Sequence, residues 1–277
     1  ESGRQDLEKE KGARTLIEET FLHCHGVGPK TDCRLKSAGF LSWKDCLLDP
    51  GNLPVGTSIR SQLLLTLQKS QNALKQADIG YFVENFPIRE HWRILGDFFN
   101  QTTFFDIETS GLSSYSNFVT VITAYRQGKL YTFVYKENLD DFLDLVSESD
   151  LLVAFNGNSF DIPFLENSFN IPELGCPYID LRWICYHEGF TGGLKQIEKG
   201  MDIPRPKEVD DINGEEAVSL FYQWQKGNNE AKNQLITYCQ VDTLAAYLVA
   251  IQLLHHKGID VPVVDPKKLF DLIGNLD

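Results

Sequence analysis

Apolar positions along this 277-residue chain recur at two different periods, and the change between them falls near Pro87. Before it the spacing is helical. Leu16, Ile17, Phe21 and Leu22 follow a 3.6-residue rhythm, and residues 58–79 place Ile59, Leu63, Leu64, Leu67, Ala73 and Leu74 on one side of a longer amphipathic helix. Ser42, ahead of Trp43-Lys44-Asp45-Cys46-Leu47, reads as a helix cap. From Thr102 onward, short β-rich runs alternate with helical stretches. Residues 102–107 read as a strand. Runs 118–126 and 129–135 flank Gln127-Gly128 as a hairpin. Residues 137–147 read as an amphipathic helix, 151–155 as a short buried strand and 178–181 as a further strand. Helices begin at 193–199 and 215–225, and 230–256 forms the last long one. Strand, hairpin, helix, strand and then helices predicts a mixed α/β sheet flanked by helices, behind an N-terminal helical region. The expected divisions are a flexible charged leader (1–11), a helical region (12–95), the α/β domain (96–258) and a tail (259–277) holding Pro262, Pro266 and a short helix.

Composition narrows the class. Hydrophobic residues make up 42% of the chain, enough for a packed core. No run approaches ~18 uninterrupted apolar residues, so no membrane span is expected. The first residues are charged and carry no secretory signal, and residue 1 is not Met, which reads as a trimmed product. Cys24, Cys33, Cys46, Cys176, Cys185 and Cys239 include no Cys-x-x-Cys pair, so they are expected to be free thiols of a reducing, cytoplasmic setting. A zinc site from His23, Cys24, His25 and Cys33 has no standard spacing behind it. Charge divides unevenly. Residues 1–100 carry 13 Lys and Arg against 13 Asp and Glu, whereas residues 101–277 carry 13 against 26, so the whole net charge of −13 lies in the second part. A broad basic footprint for duplex DNA is absent.

Four of those acids form a set. Asp106 and Glu108, two apart on an expected strand, share a face. Two like charges so close are costly to bury without a counter-ion, and a divalent cation resolves that cost. Asp161 follows the apolar run 151–155 and Asn156-Gly157, where ligands often sit at strand carboxyl ends. Tyr238 and Asp242 are spaced i, i+4 on the last long helix, with Leu235 and Cys239 near the same side. Each has an ordinary reading when taken alone: solvated strand-end acids, a turn or capping Asp, a packed aromatic. Jointly they suggest a carboxylate cage for two divalent metals.

The order Asp-x-Glu, then Asn-x-x-x-Phe-Asp, then Tyr-x-x-x-Asp resembles the three exonuclease motifs of the DEDD superfamily in its Tyr-bearing branch. Phe104-Phe105-Asp106-Ile107-Glu108-Thr109-Ser110-Gly111-Leu112, residues 155–165 and Ile179-Asp180-Leu181-Arg182-Trp183 are similar to the YprB-like ribonuclease-H-like domains. Residues 20–28 and 39–43 extend that likeness toward the N-terminus. The resemblance implies a ribonuclease-H-like fold and 3′-to-5′ exonuclease chemistry with two Mg²⁺ or Mn²⁺ ions. In it the metal ligands are Asp106, Glu108, Asp161 and Asp242, and Tyr238 positions the water. The expected partner is nucleic acid with a single-stranded or frayed 3′ end, with Arg182, Lys195, Lys199 and Arg205 as candidate cations for the strand.

Two other readings stay open. One is a non-catalytic adaptor that keeps the fold and binds nucleic acid or protein. The other is a structure-specific endonuclease or transposase-like relative. Gly26-Val27-Gly28 resembles a helix-hairpin-helix turn that could meet a phosphate, but the balanced charge around it favours a packing turn between two helices.

Overall fold

The computed structural model describes residues 15–273. The expected leader (1–11) and the first three residues of the expected helical region lie outside the described residues. By its internal contacts the chain divides into two units, Glu1–Asp97 and Phe98–Asp277.

The N-terminal unit holds helices α1 (Pro29–Ser37), α2 (Trp43–Leu48), α3 (Thr57–Lys75), α4 (Ile79–Asn85) and α5 (His91–Asp97). Local chemistry sets their ends. Ser42 and Asp45 form a reciprocal capping box at α2, a device worth about 1 kcal/mol. Gly26 takes a positive φ of 79°, which lets the chain turn before Gly28 and Pro29 open α1. Two expected helices are shorter than their spacing predicts. The segment around Leu16–Leu22 makes only a 3₁₀ turn at Ile17–Glu19. There the Asp97 carboxylate accepts the N–H groups of Leu16 and Ile17, both at 2.9 Å, so the segment is held by tertiary partners. The long helix ends at Lys75 because Ala77 turns left-handed (φ 53°) and Asp78 caps α4. Trp43, fully buried, anchors this unit and donates its indole N–H to the Thr20 carbonyl at 2.8 Å. His23 stacks on Phe86 with ring centroids 4.5 Å apart. His23, Cys24, His25 and Cys33 form no ligand cluster among the described residues.

The C-terminal unit is built on a five-stranded sheet: β1 (Thr102–Thr109), β2 (Val119–Arg126), β3 (Lys129–Val134), β4 (Leu151–Ala154) and β5 (Tyr178–Asp180), in the order β3-β2-β1-β4-β5. β1, β2 and β3 are antiparallel neighbours, while β4 and β5 join parallel to β1. The mixed α/β reading therefore holds. Positive φ at both Gln127 (50°) and Gly128 (82°) closes the β2–β3 hairpin. Helices α6 (Phe142–Ser147), α7 (Asp161–Phe169), α8 (Leu181–His187), α9 (Leu194–Gly200), α10 (Gly214–Gln225), α11 (Asn229–His256) and α12 (Pro266–Phe270) complete the unit. The expected helix over 137–147 keeps only its second half as α-helix. Lys136 turns left-handed, and the Asn138 side chain bonds Val134 N–H and the Thr132 carbonyl, so the first half follows the end of β3.

Alternation along β1 separates two cores. Phe105 and Ile107 join Phe142, Ile162 and Phe164 on the α6–α7 side. On the opposite face Val121 of β2 meets Leu220, Phe221, Leu235 and Val241 of α10 and α11. By length and mean hydropathy of 1.2, α11 matches a membrane span, yet 78% of that window is buried. Its apolar surface is covered by the sheet and by α10. Val261 and Leu269 of the expected tail are buried too, and Phe270 packs on the same core.

Candidate metal centre

Because β1 and β4 run parallel, their carboxyl ends open on the same edge of the sheet. A cleft there is lined by Asp106, Glu108, Asp161, Tyr238 and Asp242, so the five residues singled out in the sequence meet in one place. Three elements deliver them. β1 carries Asp106 and Glu108 on the face opposite Phe105 and Ile107, and a bulge after Glu108 ends the regular pairing with β2. α11 crosses that face. Thr123 of β2 donates to the Cys239 carbonyl at 2.9 Å and hydrogen-bonds the Thr243 hydroxyl. The Cys239 thiol donates toward the Asp106 carbonyl at 3.4 Å and its carboxylate at 3.5 Å. These bonds fix the rotation of α11 that turns Tyr238 and Asp242 to the cleft.

The third element is the turn from β4 into α7, which makes Asp161 the first residue of a helix absent from the sequence reading. Asn156 adopts φ 70°. A Cβ on Gly157 would lie 2.9 Å from the Ala154 Cβ, so only glycine fits. The Asp180 carboxylate holds this turn by accepting the N–H groups of Asn156 (2.9 Å), Asn158 (3.2 Å) and Arg182 (3.1 Å).

Electrostatics in the cleft are those of crowded acids. Burial, then Asp242, Asp161 and Glu108, push the Asp106 carboxyl well above the usual carboxylate range. Burial, then Asp242 and Asp161, do the same to Glu108. Burial raises Asp161 as well, against hydrogen bonds from the backbone. Asp242 is raised by burial, with Arg205, Lys195 and the Tyr238 hydroxyl pulling it back down. Burial and the surrounding carboxylates push up the Tyr238 hydroxyl and the Cys239 thiol, so both stay protonated. Asp106, Glu108 and Cys239 bring ligand atoms within 4.8 Å of one another. A protonated thiol is a poor ligand for a hard cation, so Cys239 is better described as a hydrogen-bond donor to Asp106. The four carboxylates are hard oxygen donors of the type that suits Mg²⁺ or Mn²⁺.

One cation already answers this charge from within. Arg205 ion-pairs with Asp242 and, at 2.8 Å, with Glu198, and the Arg205 and Glu198 side chains are only 6% and 3% exposed. Glu198 is pushed up to about 7 by burial, with Arg205 opposing. Both the Arg205 guanidinium and the Lys195 ammonium lie 5.6 Å from the Tyr238 ring centroid. Lys195 also donates to the carbonyls of Asp210 (2.6 Å) and Ile212 (2.5 Å). This corrects the expectation for the candidate cations. Arg205 and Lys195 brace Asp242 and Tyr238 and are committed inward, whereas Arg182 and Lys199 are exposed. The brace itself, Glu198 above all, was not singled out in the sequence. A lone Glu on a short helix carries no signal until its burial is known.

No curated protein matches the chain. Among solved structures, the family B DNA polymerase of the hyperthermophilic archaeon Pyrobaculum calidifontis is similar over 56% of this chain, at 18% identity and a TM-score of 0.45. The similar region spans 24% of that polymerase. Residues 103–254, which run from β1 to near the end of α11 and carry every acid of the cleft, match the family model described as the RNase_H superfamily, and the chain belongs to that superfamily.

Proposed function

We infer that this chain is a metal-dependent 3′-to-5′ exonuclease of the DEDD type, in its Tyr-bearing branch and close to the YprB-like domains. Its substrate is single-stranded or frayed nucleic acid. The observation that carries this reading is the meeting of Asp106, Glu108, Asp161 and Asp242, drawn from three separate elements, with Tyr238 in one acidic cleft. The superfamily membership supports it. The motifs contain no Ser, Cys or His nucleophile, and the one thiol beside the acids is held protonated.

Asp106, Glu108, Asp161 and Asp242 would hold two Mg²⁺ or Mn²⁺ ions. Bound there, such ions supply the Lewis acidity that makes water a nucleophile at neutral pH and stabilises a leaving oxygen. The protein's part is positioning. Asp106 and Glu108 are fixed by the strand, and Asp161 by the glycine turn. Asp242 is held in place by Arg205. The Tyr238 hydroxyl, protonated in this setting and directed at Asp242, would orient the attacking water by accepting a hydrogen bond from it. The six free cysteines accord with a reducing, cytoplasmic setting.

The test is a 5′-labelled oligonucleotide incubated with the protein and Mg²⁺ or Mn²⁺. The expected result is a ladder shortening from the 3′ end, abolished by chelator and by Asp106→Ala. Full activity in excess chelator would refute the metal mechanism. Internal cuts would point to the endonuclease reading. The non-catalytic adaptor has one observation in its favour, the guanidinium already resting on Asp242, and strand binding with no hydrolysis under any divalent cation would establish it.

A further inference from the structure

The solvent face of α8 is unlike the rest of this acidic half of the chain. Leu181, Ile184 and Cys185 are buried, which leaves Arg182, Trp183, Tyr186 and His187 outward. That face carries a guanidinium and three aromatic rings and no carboxylate, where residues 101–277 as a whole hold twice as many acidic as basic side chains. The acids flanking the helix are engaged. Asp180 accepts three backbone N–H groups, and Glu188 receives the Lys257 ammonium at 3.0 Å.

The face begins at the cleft. Arg182 Nη1 donates to Asn156 Oδ1 at 2.6 Å, and Asn156 lines the cleft beside the four acids. From there neighbours lead away along the helix. The Arg182 guanidinium lies 5.9 Å from the Trp183 ring, and Trp183 and Tyr186 meet edge-on at 5.9 Å. Tyr186 and His187 are 5.7 Å apart. Trp183 is 38% exposed and Tyr186 55%. Isolated surface aromatics are ordinary, but a contiguous run beside a cleft marks an interaction surface.

We propose that this face binds single-stranded nucleic acid, with bases stacking on Trp183 and Tyr186 and Arg182 meeting a backbone phosphate where the strand enters the cleft. The local charge of the face, a guanidinium with no carboxylate beside it, selects this occupant. A polyanion gains little from an acidic domain at large, so its affinity must come from stacking, which needs only exposed π-faces, and from a cation placed at the rim. The direction of the strand, 3′ end toward the acids, rests on the exonuclease reading; the binding itself does not.

The experiment uses the full chain in chelator, so that nothing is cleaved, and fluorescence-labelled oligo-dT and oligo-rU of roughly 12 nucleotides. The expected result is binding of one or both strands that weakens roughly 10-fold or more in Trp183→Ala/Tyr186→Ala, with a melting temperature close to wild type because neither ring belongs to the buried core. Intrinsic fluorescence should be quenched by the strand in the wild type and not in Trp183→Phe, which keeps the proposal testable should the double variant fold poorly. Arg182→Lys should bind better than Arg182→Ala. Equal affinity of wild type and double variant would overturn the proposal. So would a self-association of the wild type that the double variant alone loses, because the face would then belong to a second copy. The two readings fail separately. Strand binding that depends on these residues without Mg²⁺- or Mn²⁺-dependent hydrolysis sinks the nuclease and spares this face, and hydrolysis without that dependence does the reverse.

Discussion

Replacing Arg205 by Ala tests the internal brace most directly. The change removes the guanidinium that contacts both Glu198 and Asp242, and leaves two carboxylates 3% and 14% exposed at the side chain without it. Breaking a buried pair in this way typically costs about 3–5 kcal/mol. For a domain of this size each kcal/mol moves Tm by roughly 2–4 °C, so the loss should be of the order of 6–20 °C. Glu198, already raised to about 7 with Arg205 pulling it down, should rise further in the variant. A carboxyl whose folded pKa lies above its unfolded value binds the extra proton in the folded state. Its contribution is therefore full below the unfolded pKa and lost as pH rises through the folded one. The deficit of Arg205→Ala should accordingly be smaller near pH 5 and larger near pH 8. Thermal unfolding of wild type and variant at both pH values in chelator measures it. Mn²⁺ should then narrow the deficit, because a ligand that binds only the folded state stabilises it and offsets the charge on Asp242. A variant as stable as wild type at pH 8, or one whose deficit does not change with pH, would refute the reasoning.

Asp106→Asn should abolish hydrolysis while raising or preserving metal-free stability, since it removes one of four mutually repelling acids, of which Glu108 and Asp161 are buried and Asp106 and Asp242 half-buried; paired activity and melting measurements check both halves. In chelator the wild type should lose stability as pH rises above the ordinary carboxylate range, because Asp106, Glu108 and Asp161 all have raised folded values; saturating Mg²⁺ should flatten that slope, and a slope of opposite sign would contradict it. Tyr238→Phe should lower kcat by about 10²-fold while metal affinity, read by calorimetry, stays close to wild type; loss of metal binding would make Tyr238 a structural part of the cage. Gly157→Ala should cost about 1–3 kcal/mol through the clash with Ala154, seen as a lower denaturation midpoint, and a neutral result would mean that the turn before Asp161 is less rigid than its geometry indicates.

The strand order along the chain, the hairpin at Gln127-Gly128 and the long final helix were legible in the sequence because each rests on short-range rules: alternation, turn residues and helical period. The same rules put Asp106 with Glu108 on one face, and Tyr238 with Asp242 on another, before any coordinates. Distance was beyond them. Only the parallel pairing of β1 with β4, and the seating of α11 on Thr123, bring Asp161 and Asp242 to the strand acids across the separation from residue 106 to residue 242. α7 and α8 escaped detection because short helices owe their stability to packing more than to local propensity. The α-helix begins later than the 137–147 pattern predicts because two side-chain hydrogen bonds tie Asn138 to β3. Arg205 has a different role in the fold from the one its sequence position suggests. In sequence it is one of few basic residues in an acidic domain and reads as a contact for a strand. In the fold it is buried between two carboxylates, and a buried charge must find its partner inside the protein.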